Sequence, residues 1–224
     1  MEAVIHLLLI ILYGILFLWS FRSFQESSFW GTSWVLFLIV TLLFENVIIL
    51  MGSIFEPGRI LEGLNLVRYL LHVLLMPTLV FVALDILRRT SVEWSQYMVT
   101  QLIYNLYTFV LTVVGIFIEV IWNDFTWIKS NGMFYYVAVE ENSSFLMLFT
   151  LIPLMIAAVS IWRKLHWPVL LYCLPFAVAG GAIGYYYDQV VIVSLFELVL
   201  MWMLVMTEQK LKQEDFFTPD TLFE

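Results

Sequence analysis

Five ionisable side chains sit inside otherwise apolar runs of this 224-residue sequence: Glu45, Arg68, His72, Glu119 and Glu197. Asn46 adjoins the first, and Asn105, Thr108 and Thr112 share the run that ends in Glu119. Arg68 and His72 are four residues apart, which stacks them on one face of a helix. Asn105, Thr108, Thr112 and Glu119 follow steps of three, four and seven, which makes one polar stripe along another helix. Such a set suits proton or ion handling: Glu45, His72, Glu119 and Glu197 as proton or cation sites, Arg68 as an anion clamp, and Asn46 beside them. If a metal is held, its ligands are His72, Glu45 and Glu197, because zinc accepts carboxylate oxygen as well as imidazole nitrogen. In an enzyme His72 would be a metal ligand or general base, with the two glutamates as ligands or acid–base partners.

The elements that must position these residues follow from composition. Hydrophobic residues make up 62% of the chain and charged residues 12%, and the mean hydropathy is +0.95. Soluble domains average about 45–50% apolar and about 25% charged residues, so a soluble, disordered, collagenous or disulfide-stapled protein is excluded. The lone cysteine, Cys173, has no intramolecular partner. A helix needs roughly 20 apolar residues to cross about 30 Å of hydrocarbon. Seven runs qualify, at about 3–20, 33–52, 66–87, 99–121, 144–162, 168–187 and 189–206. The expected fold is therefore all-α: a polytopic integral membrane protein, a single seven-transmembrane-helix bundle (1–206) with a short tail (207–224). The weakest break is GYYYDQ, between the sixth and seventh runs. The N-terminal run lacks a basic leader and a small-residue cleavage site, so it reads as a retained helix.

Basic residues orient the bundle. Arg22, Arg88, Arg89, Arg163, Lys164, Lys210 and Lys212 fall in the odd-numbered loops and the tail, against Arg59 and Lys129 on the other side. The positive-inside rule then places the N-terminus outside and the C-terminus in the cytoplasm, most simply of a cell-membrane protein. The longest loop, 122–143, is external, and Asn131-Gly132 between apolar-aromatic runs predicts a small β-hairpin. At a rise of about 1.5 Å per residue, Arg68 and Glu119 lie about one turn from the outer boundary and Glu45, His72 and Glu197 roughly two turns in. Five ionisable groups from four helices thus share one layer of the outer half. Asp85 is set apart by about 220° of helix from His72 and has Arg88 and Arg89 as nearby partners. His166 reads as an interface residue, and His6 stands near the outer layer. Pro77, Pro153 and Pro175 each remove a helix hydrogen bond within a span. Gly180 and Gly184 offer a close-packing face.

Three functions stay open. The first is a pocket that binds, transports or senses a small molecule, lipid or ion. The second is an intramembrane lipid-modifying enzyme using His72 and carboxylates. The third is a noncatalytic subunit that binds a membrane-protein partner. The bland alternative is glue: polar groups join membrane helices, and Glu45 with Arg68, on consecutive helices, is then the expected ion pair. Against glue alone, three carboxylates facing one Arg and one His leave a surplus acid. That acid must be protonated, paired with a cation or in contact with water. The scattered basic residues make no nucleic-acid surface. Covalent retinal is excluded despite the receptor-like topology, because Lys129, Lys164, Lys210 and Lys212 all lie outside the spans. Heptahelical zinc hydrolases use several inward histidines, whereas only His72 lies well inside a span here.

Overall fold

The computed structural model describes residues 2–26, 30–130, 132–139, 143–187 and 189–217. Eight α-helices account for most of them: α1 Glu2–Glu26, α2 Trp30–Met51, α3 Arg59–Leu75, α4 Leu79–Arg89, α5 Met98–Gly115, α6 Ser143–Leu165, α7 Val169–Tyr186 and α8 Val190–Phe217. Six segments among them are long and apolar enough to cross a membrane: Glu2–Phe24, Trp30–Met51, Arg59–Arg89, Met98–Ile121, Leu148–Leu165 and Val190–Glu214. The stretch Val169–Gly184 is apolar but shorter. This is the architecture of an all-α polytopic membrane protein. The shorter helix coincides with the sixth run of the sequence.

Burial follows the helical period. On α1 the buried positions are His6, Leu9, Tyr13, Leu16, Ser20 and Ser23, a stripe of alternating three- and four-residue steps. The other face carries exposed Leu7, Leu8, Ile11, Ile15 and Leu18, and α5 exposes Leu102, Ile103, Leu106, Phe109 and Val110. Such broad apolar faces are at home only against lipid, which costs nothing for Leu or Phe to touch. The second helix is central, packing on α1, α3, α4 and α8, while α7 lies along α8. That last contact is close: a Cβ on Gly180 would strike the Phe196 ring, and one on Gly184 would approach Val193 Cγ2 to 2.8 Å.

Prolines act unequally. Pro77 interrupts the third span, where Met76–Thr78 forms a 3₁₀ turn between α3 and α4. Its missing N–H breaks the hydrogen-bond ladder, and the Thr78 hydroxyl donates to the Leu75 carbonyl (2.6 Å) across the break. By contrast α6 and α7 continue through Pro153 and Pro175. Two helices run further than the apolar pattern suggests. α3 starts at Arg59, just after Pro57-Gly58, so Arg68 is mid-helix. α8 continues to Phe217 and keeps Thr207, Glu208, Leu211 and Lys212 buried; the tail from 207 therefore starts as packed helix, and its end, 218–224, lies outside the described residues.

Between α5 and α6 comes a π-helical turn, Ile116–Ile121, then strands β1 Phe125–Ser130 and β2 Met133–Ala138. The strands pair antiparallel from Phe125↔Ala138 to Ser130↔Met133. Gly132 has φ +87° in the turn, a conformation glycine adopts freely; Asn131 lies outside the described residues. The hairpin sits on the bundle. Phe134 N–H donates to the Gly52 carbonyl (2.8 Å) at the end of α2, and Ala138 N–H donates to the Tyr69 hydroxyl (3.3 Å) on α3. Met133, Tyr135 and Tyr136 are buried by this docking.

Candidate functional site

Beneath the hairpin three helices converge on one buried polar centre. Glu45 comes from α2, His72 from α3 and Glu197 from α8. One ligand atom from each lies within 4.8 Å of the other two. Glu45 and Glu197 are only 8% and 6% exposed. His72 Nδ1 lies 2.8 Å from Glu45 Oε1. A carboxylate accepts, so the imidazole donates there, and its Nε2 remains for a second partner.

The local sequence explains why these groups face inward. Glu45 lies on the α2 stripe of Leu38, Thr41, Leu42, Glu45, Asn46, Ile48 and Ile49, all buried. Glu197 follows the α8 stripe Ser194, Glu197, Met201, Leu204 and Glu208 in steps of three and four. His72 is one turn below Arg68 on α3. Glu119 belongs to the π-helical turn and is buried. Its carboxyl interacts electrostatically with His72 and Glu45. A π turn adds a residue to the ladder and re-aims those in it; here it ends a helix whose Tyr104, Thr108, Leu111 and Gly115 already face inward.

The remaining candidates sit around this centre. Asn46 is 1% exposed, donates through Nδ2 to the Leu42 carbonyl (2.8 Å), and meets His6 Nδ1 through Oδ1 at 2.9 Å. Arg68 is the correction. It does not pair with Glu45; its Nη2 donates to the Tyr136 carbonyl of the hairpin (3.1 Å), and its guanidinium lies 4.7 Å from the centre of the Tyr69 ring. Glu45 takes His72 instead. Arg68 still contributes its charge at longer range, interacting electrostatically with Glu197. Along the fourth span the polar stripe divides: Thr108 is buried and Asn105 is exposed. Thr108 and Thr112 donate to the carbonyls of Tyr104 and Thr108, 2.9 and 3.0 Å away.

Two contributors were weakly or not signalled. His6 is buried at 1% exposure beside Asn46. Tyr13 is fully buried, its hydroxyl reaches the Ser194 carbonyl (3.4 Å), and it senses the charges of Glu197 and Glu45. Their seven-residue separation on α1 was the available signal, since it puts both on one helix face.

A second polar group lies at the opposite end of the bundle. Arg89 Nη1 is 3.8 Å from Asp85 Oδ2, Thr32 hydrogen-bonds Glu208, and both Asp85 and Arg89 lie within electrostatic reach of Glu208. Gly31 allows the close approach, because a Cβ there would collide with the Asp85 carboxylate. Lys164 Nζ donates to Ser91 O (3.2 Å), Lys212 Nζ to Ser23 O (3.4 Å) and Arg88 Nε to Ser95 O (3.2 Å). Lys164, Lys212 and Arg88 thus donate to backbone carbonyls, while Arg89 faces the Asp85 carboxylate.

No protein-family model matches the chain, and no curated protein matches it. The chemistry of the buried centre is accordingly the ground for a functional reading.

Proposed function

We propose that the chain crosses the membrane seven times, with the hairpin and N-terminus outside, and that the centre around Glu45, His72 and Glu197 is a ligand site. In this reading the protein binds a small molecule, lipid or ion in the outer half of the bundle and transports or senses it. One observation carries the proposal: two buried carboxylates and an imidazole from three helices meet within 4.8 Å. At an effective dielectric of about 20, two ionised carboxylates this close repel by roughly 3–4 kcal/mol. Structural glue needs one acid for one base; here Glu45, Glu119 and Glu197 face only His72 and Arg68, so one acid is in surplus. The collection of Arg88, Arg89, Lys164 and Lys212 at the end opposite the hairpin supports the orientation.

The test is electrical. Purified protein in liposomes on a solid-supported membrane is exposed to concentration jumps of protons, monovalent cations and divalent cations. A transient current or binding signal is expected for wild type with one of these ions. Glu45→Gln, His72→Ala and Glu197→Gln should each reduce it at least tenfold while eluting as folded protein. If all three respond as wild type does, the site reading is wrong.

A further inference from the structure

We propose that the ligand of this centre is a divalent first-row transition metal ion, held by one oxygen of Glu45, one nitrogen of His72 and one oxygen of Glu197. The inference rests on the reading of the pocket as a ligand site and names what fills it.

Donor chemistry argues first. One imidazole with two carboxylates suits zinc, manganese or ferrous iron. Calcium prefers six to eight oxygens, and magnesium retains much of its water, which a pocket with a histidine donor and an apolar surround does not favour. Thiolate-seeking ions are unsuited, because the sole cysteine, Cys173, lies on α7 and reaches the Val199 carbonyl (3.9 Å) instead. Spacing argues next. Metal–ligand bonds of about 2.0–2.2 Å put tetrahedral donors roughly 3.4 Å apart. Donor atoms already within 4.8 Å of one another need only side-chain rotation to close on an ion.

Charge is compatible with a dication. Glu119 interacts electrostatically with His72 and Glu45, and Arg68 with Glu197. With a neutral histidine, a dication and Arg68 together balance the three carboxylates. No group then carries uncompensated charge within the bilayer, where each such charge is costly. Three protein donors leave a fourth position for water or for an oxygen of a substrate.

The experiment uses full-length protein purified without chelator, stripped, and titrated with Zn²⁺ and separately with Mn²⁺. One equivalent of Zn²⁺ or Mn²⁺ should bind and raise the thermal midpoint. Binding should weaken at least tenfold in Glu197→Gln and in His72→Gln, and disappear in the triple variant Glu45→Gln, His72→Gln, Glu197→Gln. Co²⁺ loading should give a visible spectrum of mixed nitrogen and oxygen ligation. Should the variants not fold, the wild-type stoichiometry and Co²⁺ spectrum decide alone. Wild type that binds neither ion, or a triple variant that still binds one equivalent, overturns the metal assignment. Loss of the ion-jump signal in Glu197→Gln alongside metal-free wild type would retain the pocket and reject only the metal.

Discussion

Glu45 has a choice of two bases on the neighbouring helix, and it takes the deeper one. Arg68 lies nearer the hairpin, where the free carbonyl of Tyr136 offers its guanidinium an acceptor. His72, one turn below, is left with the carboxylate 2.8 Å away. The consequence is measurable as a coupling. In a double-mutant cycle of Glu45→Gln with His72→Gln, unfolding in mixed micelles should show an interaction energy of about 0.5–3 kcal/mol. The cycle of Glu45→Gln with Arg68→Gln should give a smaller value, because the two share no hydrogen bond. The reverse ranking would restore the Glu45–Arg68 pair expected from depth alone. That expectation shows where sequence reading stops. Depth is a one-dimensional quantity, obtained by counting residues from the span boundary, and it brings Glu45, His72, Glu119 and Glu197 into one layer. Partner choice depends on helix rotation and on a contact between positions 68 and 136, neither of which a count along the chain contains.

The hairpin is the element that connects the layer to the aqueous side. Its docking depends on a backbone-to-backbone contact: Phe134 N–H meets Gly52 O, and a Cβ on Gly52 would collide with the Phe134 carbonyl. Gly52→Ala should therefore lift the hairpin locally, with a stability loss of about 1–3 kcal/mol, the range for overpacking a close contact. Trypsin cleavage after Lys129, near the turn end of β1, reports the lifting. Cleavage should be faster in Gly52→Ala than in wild type, whereas Gly63→Ala, with open space around its Cβ position, should leave the rate unchanged. Equal rates in all three would mean that the hairpin is held elsewhere. Asn131-Gly132 made this element legible, because a turn with positive φ has a short-range chemical signature. The docking was not legible, since Gly52 and Phe134 are joined only by the fold. Helix ends are less legible in composition: Arg59 and Glu62 mark polarity, yet α3 begins at Arg59, because long charged side chains can reach water from the first turn of a helix. The charge of Glu208 likewise reads as tail, although its three- and four-residue steps from Glu197 through Met201 and Leu204 put it on the buried face of α8.

At the scale of the molecule, two polar layers are separated by an apolar middle. Glu197 and Glu208 are eleven residues apart on α8, or about 16 Å along its axis. Between them lie Met201 and Leu204, fully buried against a core that includes Leu38, Ile39, Leu79 and Val80. The two layers differ in charge character. The hairpin side holds the carboxylate-rich centre, and the other side holds Asp85 and Glu208 with Arg88, Arg89, Lys164 and Lys212 nearby. A bilayer with a positive-inside bias reads this difference as orientation, because basic residues resist translocation much more than acidic ones do. In the proposed topology Lys129 on the hairpin and Lys210 on the last helix face opposite aqueous compartments. Cys173→Ala first removes the single native thiol. In that background, Lys129→Cys should react with a membrane-impermeant maleimide on intact cells. Lys210→Cys should react only after the membrane is permeabilised. If the reactivities are exchanged, the N-terminus faces the cytoplasm and the carboxylate centre opens inward. If both react on intact cells, an even number of crossings rather than three separates the hairpin from Lys210, which would single out the short helix α7 as not spanning the bilayer.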